Sequence, residues 1–103
     1  FGEPTNLHRV WDYQMIERTG IPWPQYADSL QKTITEGDLQ KWNSLDPVAW
    51  VNESFRLAHN HAYKIPKDHR IGETYYEKNI AIVDEQLKKA GVRLALFLNA
   101  IFQ

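Results

Sequence analysis

The sequence predicts an all-α fold, and three observations carry that prediction. Apolar residues recur every three or four positions through most of the 103 residues, which is the period of a helix with one buried face. No run alternates apolar and polar residues with the period of two that a half-buried strand requires. Two helix start signals, Asn6 and the pair Asp46 and Pro47, stand directly ahead of two periodic stretches.

Three helical segments are predicted in the first half of the chain. The first covers residues 6–18, with Asn6 as its N-cap. Its apolar face is formed by Leu7, Val10, Trp11, Met15 and Ile16. The second covers residues 24–34, with Pro24 at the first helical position, which suits the fixed φ of proline. Gly37 is expected to interrupt the pattern, and a short helical piece follows over residues 38–43.

Two longer helices are predicted in the second half. One covers residues 48–63, and its inner stripe is predicted to be Val51, Phe55, Ala58 and Ala62, with Trp50 alongside. Residues 64–71 are charged and predict a solvent loop. The final helix covers residues 73–102, about 30 residues or roughly 45 Å. Gly91 in its interior costs about 1 kcal/mol against alanine, so we expect it to permit a bend or the close approach of a neighbour.

Composition excludes several classes of protein. The net charge is −1 and the pI about 6.5, so there is no basic footprint for non-specific duplex binding. Cysteine is absent, which excludes a disulfide framework and a thiolate zinc site. No apolar run reaches the roughly 18 residues that predict a membrane span.

His8 and Asp12 are the residues of the first helix that suggest chemistry. Four residues apart, they lie on one helical face with roughly 5–6 Å between their Cβ atoms. An imidazole nitrogen and a carboxylate oxygen at that spacing could bind one divalent ion together. The commoner explanation of such a pair is a solvated surface interaction worth a few tenths of a kcal/mol. Spacing alone favours the surface pair.

Three blocks resemble one protein family, in the right order and over nearly the whole chain. Asn-Leu-His-Arg-Val-Trp-Asp at positions 6–12 resembles the N-L-H-x-V-W-D signature of the zinc-dependent, single-strand-specific nucleases, the S1/P1 nuclease family. Trp-Val-Asn-Glu-Ser at 50–54, with Leu57, Ala58 and Tyr63, resembles the W-x-N-E-S segment of that family. Residues 86–95, followed by Leu98 and Asn99, resemble its closing helix.

The resemblance implies that residues 1–103 are the C-terminal portion of a single helical domain of the phospholipase C and single-strand nuclease type. Members of the family hold three zinc ions, and most of the ligands come from sequence ahead of the N-L-H motif. His8 and Asp12 correspond to two of the three protein ligands of one zinc, and Asn6 caps the helix that presents them. We therefore expect an absent N-terminal segment to complete the site, and the chain alone to be inactive. One face of the first and last helices should be apolar beyond what this chain covers.

The implied activity of the intact protein is that of an endonuclease and 3′-nucleotidase. It would hydrolyse phosphodiesters of single-stranded DNA and RNA to 5′-nucleotides, in a periplasmic or secreted enzyme without a membrane partner. Two alternatives stay open. One is a zinc-dependent phospholipase C-like enzyme on the same fold. The other is a non-catalytic all-α interaction module, in which His8 and Asp12 are only a surface pair.

Other polar residues are weaker candidates. His59 and His61 point about 200° apart on a helix and are expected to be exposed non-ligands, as is His69 in the charged loop. Asn52 begins an Asn-X-Ser glycosylation triplet, although a tertiary hydrogen bond is the better expectation in mid-helix. Glu53 is a candidate half-buried anchor for a neighbouring segment. On proximity alone, Glu3 and Thr5 could contact a ligand.

Overall fold

The computed structural model describes residues 5–102, and helices dominate it. Helices account for 74% of the molecule, and residues 5–102 contain no strand, so the all-α prediction is confirmed. The first helix, α1, runs over residues 7–18 and includes a π turn at Val10–Gln14. The others are α2 (Trp23–Lys32), α3 (Glu36–Lys41), α4 (residues 47–62, ending in a π turn at Ala58–Ala62) and α5 (Glu73–Ile101).

The core lies between α1 and the first half of α5. Val10 and Met15 of α1 are completely buried, and they contact Tyr75 and Val83 of α5. Half-buried apolar side chains surround this cluster, namely Leu7, Trp11, Ile16, Ile65, Ile71, Tyr76 and Ile80. The predicted apolar face of the first helix is therefore confirmed. The segment 64–71 is less solvated than expected, because two of its isoleucines pack on this core.

Two helix starts differ from the sequence prediction. Helix α2 begins at Trp23 with Pro22 as its N-cap, so Pro24 occupies the second helical position rather than the first. Helix α3 begins at Glu36 and includes Gly37, which we had expected to interrupt it. A capping box explains the earlier start: the Asp38 amide donates to Thr35 Oγ1 at 3.1 Å, and the Thr35 amide donates to Asp38 Oδ2 at 3.0 Å.

The predicted inner face of α4 is wrong for its first two residues. Val51 and Phe55, assigned to the inner stripe, are 67% and 68% exposed. Ala58 and Ala62 of the predicted stripe are half-buried, as is Trp50 alongside it, and the other half-buried residues of this helix are Glu53 and Leu57. The physical reason is on α5, which presents two cationic side chains to α4, so a carboxylate rather than an aliphatic stripe makes the contact.

Helix α5 is the long continuous helix that was predicted, and the other helices pack along it. The hydroxyl of Tyr26 in α2 donates to the carboxylate of Asp84, and Lys88 Nζ donates to Thr33 Oγ1 at 3.2 Å. Arg18 at the end of α1 pairs with Glu73. Within residues 5–102, no helix is both long enough and apolar enough to cross a membrane.

An open apolar groove of about 960 Å³ runs between α1, α2 and the second half of α5. Its walls include Ile16, Trp23, Leu30, Leu87 and Ala95. Trp23 is 81% exposed. A Cβ added at Gly91, which also lines the groove, would meet nothing within 4 Å. The close neighbour expected at Gly91 is therefore not found among the described residues.

Beyond the groove, apolar side chains of α5 remain exposed to its end. These residues are Leu94, Phe97, Leu98 and Ile101, each between 43% and 59% exposed. The expectation of an uncovered apolar face is confirmed for the last helix. For the first helix it holds in part, because Tyr13 is 52% exposed whereas Ile16 is half-buried.

Candidate metal centre

Asn6 caps the helix that carries the candidate ligands. It has extended backbone angles (φ −139°, ψ 165°), and its Oδ1 accepts a hydrogen bond from the Arg9 amide at 2.9 Å. The Val10 amide donates to the Asn6 carbonyl at 3.0 Å, which begins the helical hydrogen-bonding pattern. The predicted cap is confirmed, and it determines where the first turn starts and how its side chains point.

His8 and Asp12 lie together on the exposed face of α1. His8 Nε2 is 2.8 Å from Asp12 Oδ2, and the two side chains are 86% and 66% exposed. Their predicted juxtaposition is therefore confirmed. Their role as metal ligands stays a prediction.

The two donors suit zinc chemically. Neutral imidazole and carboxylate are both common zinc ligands, with bonds of about 2.0–2.2 Å. Two such donors on a tetrahedral ion lie about 3.4 Å apart, by the geometry of those bonds. A small change in side-chain torsion angles would open the 2.8 Å contact that far, because both groups are exposed.

Two donors do not make a complete site. Residues 5–102 contain no group of three or more His, Cys, Asp or Glu side chains that could hold a metal ion. Glu3, considered as a neighbour of the ligand, lies outside the described residues. Thr5 Oγ1 donates to Gln14 Oε1 at 2.7 Å, so its hydroxyl is engaged with a side chain of α1. A further protein ligand would have to come from outside the described part of the chain.

The apolar groove reaches one of the two candidate ligands. Asp12, Tyr13 and Glu17 are part of its lining, and His8 is not. A segment packed in the groove would therefore pass close to Asp12.

The backbone at Asp12 is a π turn, which periodicity did not predict. Asp12 lies within Val10–Gln14, where the Met15 amide donates to the Val10 carbonyl. Trp11, in the same turn, donates from Nε1 to the hydroxyl of Tyr75 at 2.8 Å. The Tyr75 hydroxyl donates in turn to the Ala62 carbonyl at 2.7 Å. No sequence signal indicated this contact, because Trp11 and Tyr75 are 64 residues apart.

Glu53 is the half-buried anchor that the sequence suggested. Its Oε1 and Oε2 accept from Arg93 Nη1 and Nη2 at 3.1 and 3.0 Å, and Lys89 Nζ lies 3.3 Å from Oε1. The paired Arg93 guanidinium holds the pKa of Glu53 below its usual range, against the opposing effect of burial. The two cations also lie over Trp42 and Trp50. This cluster joins α4 to α5.

The remaining candidates lie away from the ligand pair. His59, His61 and His69 are all exposed, as predicted, and the ring of His59 stacks on Phe55 at a centroid distance of 6.0 Å. Asn52 is exposed on α4, which does not favour the tertiary hydrogen bond we expected for it.

Comparison with known proteins gives a consistent family. The S1/P1 nuclease family model matches residues 1–103. Endonuclease 3 of Arabidopsis thaliana is 31% identical over 99% of this chain and 40% of its own length. Endonuclease 4 of the same plant is 32% identical over 95% of the chain and 38% of its own length. Nuclease S1 of Aspergillus oryzae is 31% identical over 97% of the chain and 42% of its own length. The chain thus spans roughly 40% of these relatives, and no solved structure matches it.

Proposed function

Because the chain belongs to the S1/P1 nuclease family, we propose that it is the C-terminal portion of a zinc-dependent endonuclease and 3′-nucleotidase. The intact protein hydrolyses phosphodiesters of single-stranded DNA and RNA to 5′-nucleotides. Three zinc ions serve that reaction, and His8 and Asp12 hold one of them together with ligands from the rest of the domain. The enzyme is exported, to the periplasm or the outside of the cell, in keeping with the family resemblance.

The observation that carries this proposal is the placement of His8 and Asp12. The two donor atoms lie 2.8 Å apart on the exposed face of α1, and Asp12 borders an open apolar groove. A solvated surface pair without a further role does not require an apolar groove beside it. Here a packed segment could reach the ion that the pair binds.

Each residue of the pair has a defined part in this scheme. His8 supplies an imidazole nitrogen, Asp12 supplies a carboxylate oxygen, and Asn6 holds the start of the helix that presents both. Zinc, when bound, acts as a Lewis acid that polarises the phosphodiester and neutralises charge on the departing oxygen. Single strands are preferred because the phosphate must reach a recessed cluster that a duplex cannot enter.

The rest of the domain is the proposed occupant of the groove. Relatives of this family are about two and a half times as long as the chain, which covers 40% of Endonuclease 3. Burial of the groove and of the exposed end of α5 would remove a large apolar surface from water, at about 25 cal/mol per Å². The same packing would bring further ligands to the zinc ion held by Asp12 and His8.

The family match supports the proposed function over its alternatives, whereas an exposed His8–Asp12 pair also fits a non-catalytic module. The base-binding or lipid-binding pocket that would separate a nuclease from a phospholipase C is expected mainly in the absent part of the domain, and the family match favours the nuclease. An isolated surface histidine would have favoured a non-catalytic module, but the carboxylate of Asp12 adjoins His8.

Zinc content per chain tests the metal site directly. The wild-type chain and the His8→Ala variant are dialysed against the same zinc buffer and measured by elemental analysis. His69→Ala is the matched control, because His69 is also exposed but lies in the loop. We expect His8→Ala to lose the bound zinc and His69→Ala to keep it. Equal zinc content above zero in all three proteins would refute a site at His8. If none of them holds zinc, the same comparison is repeated with the remaining part of the domain added, and equal zinc content in that complex would refute the site.

Activity tests the incompleteness of the site. The chain alone should not cleave single-stranded DNA, since two ligands cannot hold three zinc ions. Addition of the remaining part of the domain should produce cleavage that a chelator and His8→Ala both abolish. Chelator-sensitive cleavage by the chain alone, lost in His8→Ala, would show instead that these residues suffice.

A further inference from the structure

The two π turns of the described chain are tied together by one phenol. Trp11 belongs to the turn Val10–Gln14 and Ala62 to the turn Ala58–Ala62. Tyr75, near the start of α5, bonds to both, at 2.8 Å from Trp11 Nε1 and 2.7 Å to the Ala62 carbonyl. π turns are rare and occur mostly as single turns within α-helices, so a shared contact between two of them calls for an explanation.

The phenol is fully engaged in this contact. A hydroxyl has one proton to donate, and Tyr75 gives it to Ala62 while accepting the indole proton of Trp11. Tyr75 is 4% exposed, so little water can replace either bond. The indole and phenol rings also meet edge to face, with centroids 6.5 Å apart and planes at 86°. The orientation of Trp11 is therefore strongly constrained.

The constraint on Trp11 is passed to Asp12 through the backbone. The two residues are consecutive, and both lie in the π turn that separates His8 from the regular helix at Met15–Arg18. A π turn has i→i+5 hydrogen bonds and therefore rotates each of its residues, Asp12 included, less about the helix axis than an α turn does. The angle between His8 and Asp12 thus depends on whether the turn persists. Val10 and Met15, at 0% exposure, hold its inner side, and Trp11 is held by Tyr75.

We infer that Tyr75 is a positioning residue for the proposed metal site, acting through Trp11 to hold the π turn that aims Asp12 at the ion bound by His8. This inference rests on the proposed function. It adds that a residue on α5, 63 positions from Asp12, controls metal affinity without contacting the metal. Groups that orient metal ligands from outside the ligand set typically change affinity by 10- to 100-fold when mutated.

The test is a zinc titration of the wild-type chain and of Tyr75→Phe, each with the remaining part of the domain added, followed by NMR at the Cε1 proton of His8. Tyr75→Phe keeps the ring and removes only the hydroxyl, and we expect it to raise the Kd for Zn²⁺ about tenfold. Trp11→Phe removes the indole donor from the other side and should raise the Kd similarly. It decides the matter if Tyr75→Phe does not fold.

Tyr26→Phe is the matched control. Tyr26 is also buried, at 7% exposure, and its hydroxyl also bonds to α5, but it has no link to the π turn. Its removal should lower the melting temperature and leave the Kd for Zn²⁺ within twofold of wild type. The indole N–H signal of Trp11 should shift on zinc addition in wild type and in Tyr26→Phe.

The outcomes separate the inference from the proposed function. Equal Kd values for Tyr75→Phe and wild type, or equal increases in Tyr75→Phe and Tyr26→Phe, would overturn the positioning role alone, provided that His8→Ala still abolishes binding. Unchanged zinc binding in His8→Ala would overturn the proposed metal site and the positioning role with it.

Discussion

Replacement of Glu53 by glutamine should destabilise the chain by about 2–3 kcal/mol. The carboxylate accepts two hydrogen bonds from Arg93 and lies 3.3 Å from Lys89. The side chains of Glu53, Arg93 and Lys89 are only 22%, 14% and 12% exposed. Charge-assisted hydrogen bonds contribute about 1.5–3 kcal/mol each, and unpairing a buried ion pair costs about 3–5 kcal/mol. Because Glu53 is partly exposed, the expected loss of unfolding free energy lies below the cost of breaking a fully buried ion pair.

Thermal unfolding by circular dichroism measures this effect. In a domain of about 100 residues, 1 kcal/mol shifts the melting temperature by about 4–8 °C, so Glu53→Gln should melt roughly 10–15 °C below wild type. Asp28→Asn is the matched control, because it removes the carboxylate that pairs with Lys32. The side chains of Lys32 and Asp28 are 75% and 62% exposed. Such exposed pairs contribute about 0.3–0.5 kcal/mol. Equal melting temperatures of the two variants would refute the reasoning.

Four further predictions follow from the described contacts. The pKa of Glu53 is held below its ordinary value of 4.5, so its contribution is complete above about pH 4.5 and is lost as the pH falls through the lower folded value; urea unfolding at pH 7 and pH 3 should show the gap between wild type and Glu53→Gln closing in acid. Asn6→Ala should lose about 1 kcal/mol of unfolding free energy in urea, and a loss below 0.3 kcal/mol would contradict the cap. Phe55→Ala should change that free energy by less than about 0.5 kcal/mol, whereas Met15→Ala should lower it by about 3 kcal/mol; the reverse order would contradict the assigned faces. Leu87→Arg, in the groove at 40% exposure, should leave chain stability nearly unchanged but weaken binding of the remaining part of the domain at least tenfold by calorimetry, and unaltered binding would argue against the groove as its docking surface.

The sequence predicted the helices well, because its local signals agree with the packing in most places. Asn6 caps α1 as expected, and the long period-3.6 pattern of α5 produced one uninterrupted helix. The start of α3 was missed because Gly37 suggested a break, while the capping box of Thr35 and Asp38 stabilises the first turn around it. The helix stability lost to a glycine in the first turn is smaller than the stability that the capping hydrogen bonds of Thr35 and Asp38 contribute.

The inner face of α4 could not be predicted from periodicity. Aliphatic and aromatic residues occupy two faces of that helix, one with Val51 and Phe55 and one with Trp50 and Leu57. The choice between them depends on Lys89 and Arg93, which lie about 40 residues away and become neighbours only in the folded chain. The ion pairs between α4 and α5 therefore determine which face of α4 packs inward, and local hydrophobicity does not distinguish the two faces.

For the candidate site, the sequence predicted the contact between His8 and Asp12 and the cap at Asn6, but not the contacts that surround them. The i, i+4 spacing of His8 and Asp12 produced the contact expected of it. The π turn and the bond from Trp11 to Tyr75 depend on a contact 64 residues apart, and no local pattern encodes it. Residue type and spacing predict which side chains come together, whereas the long-range contacts around them follow from the fold.

The uncovered end of α5 has a consequence for handling the protein in solution. Exposed apolar side chains line one side of this end of the helix, at Leu94, Phe97, Leu98 and Ile101. The net charge of only −1 gives almost no long-range electrostatic repulsion between molecules. The protein should therefore self-associate more readily near its pI of about 6.5. Sulfate should have the same effect, because it strengthens apolar association. Dilute protein at mildly alkaline pH is the condition under which the chain should stay dispersed.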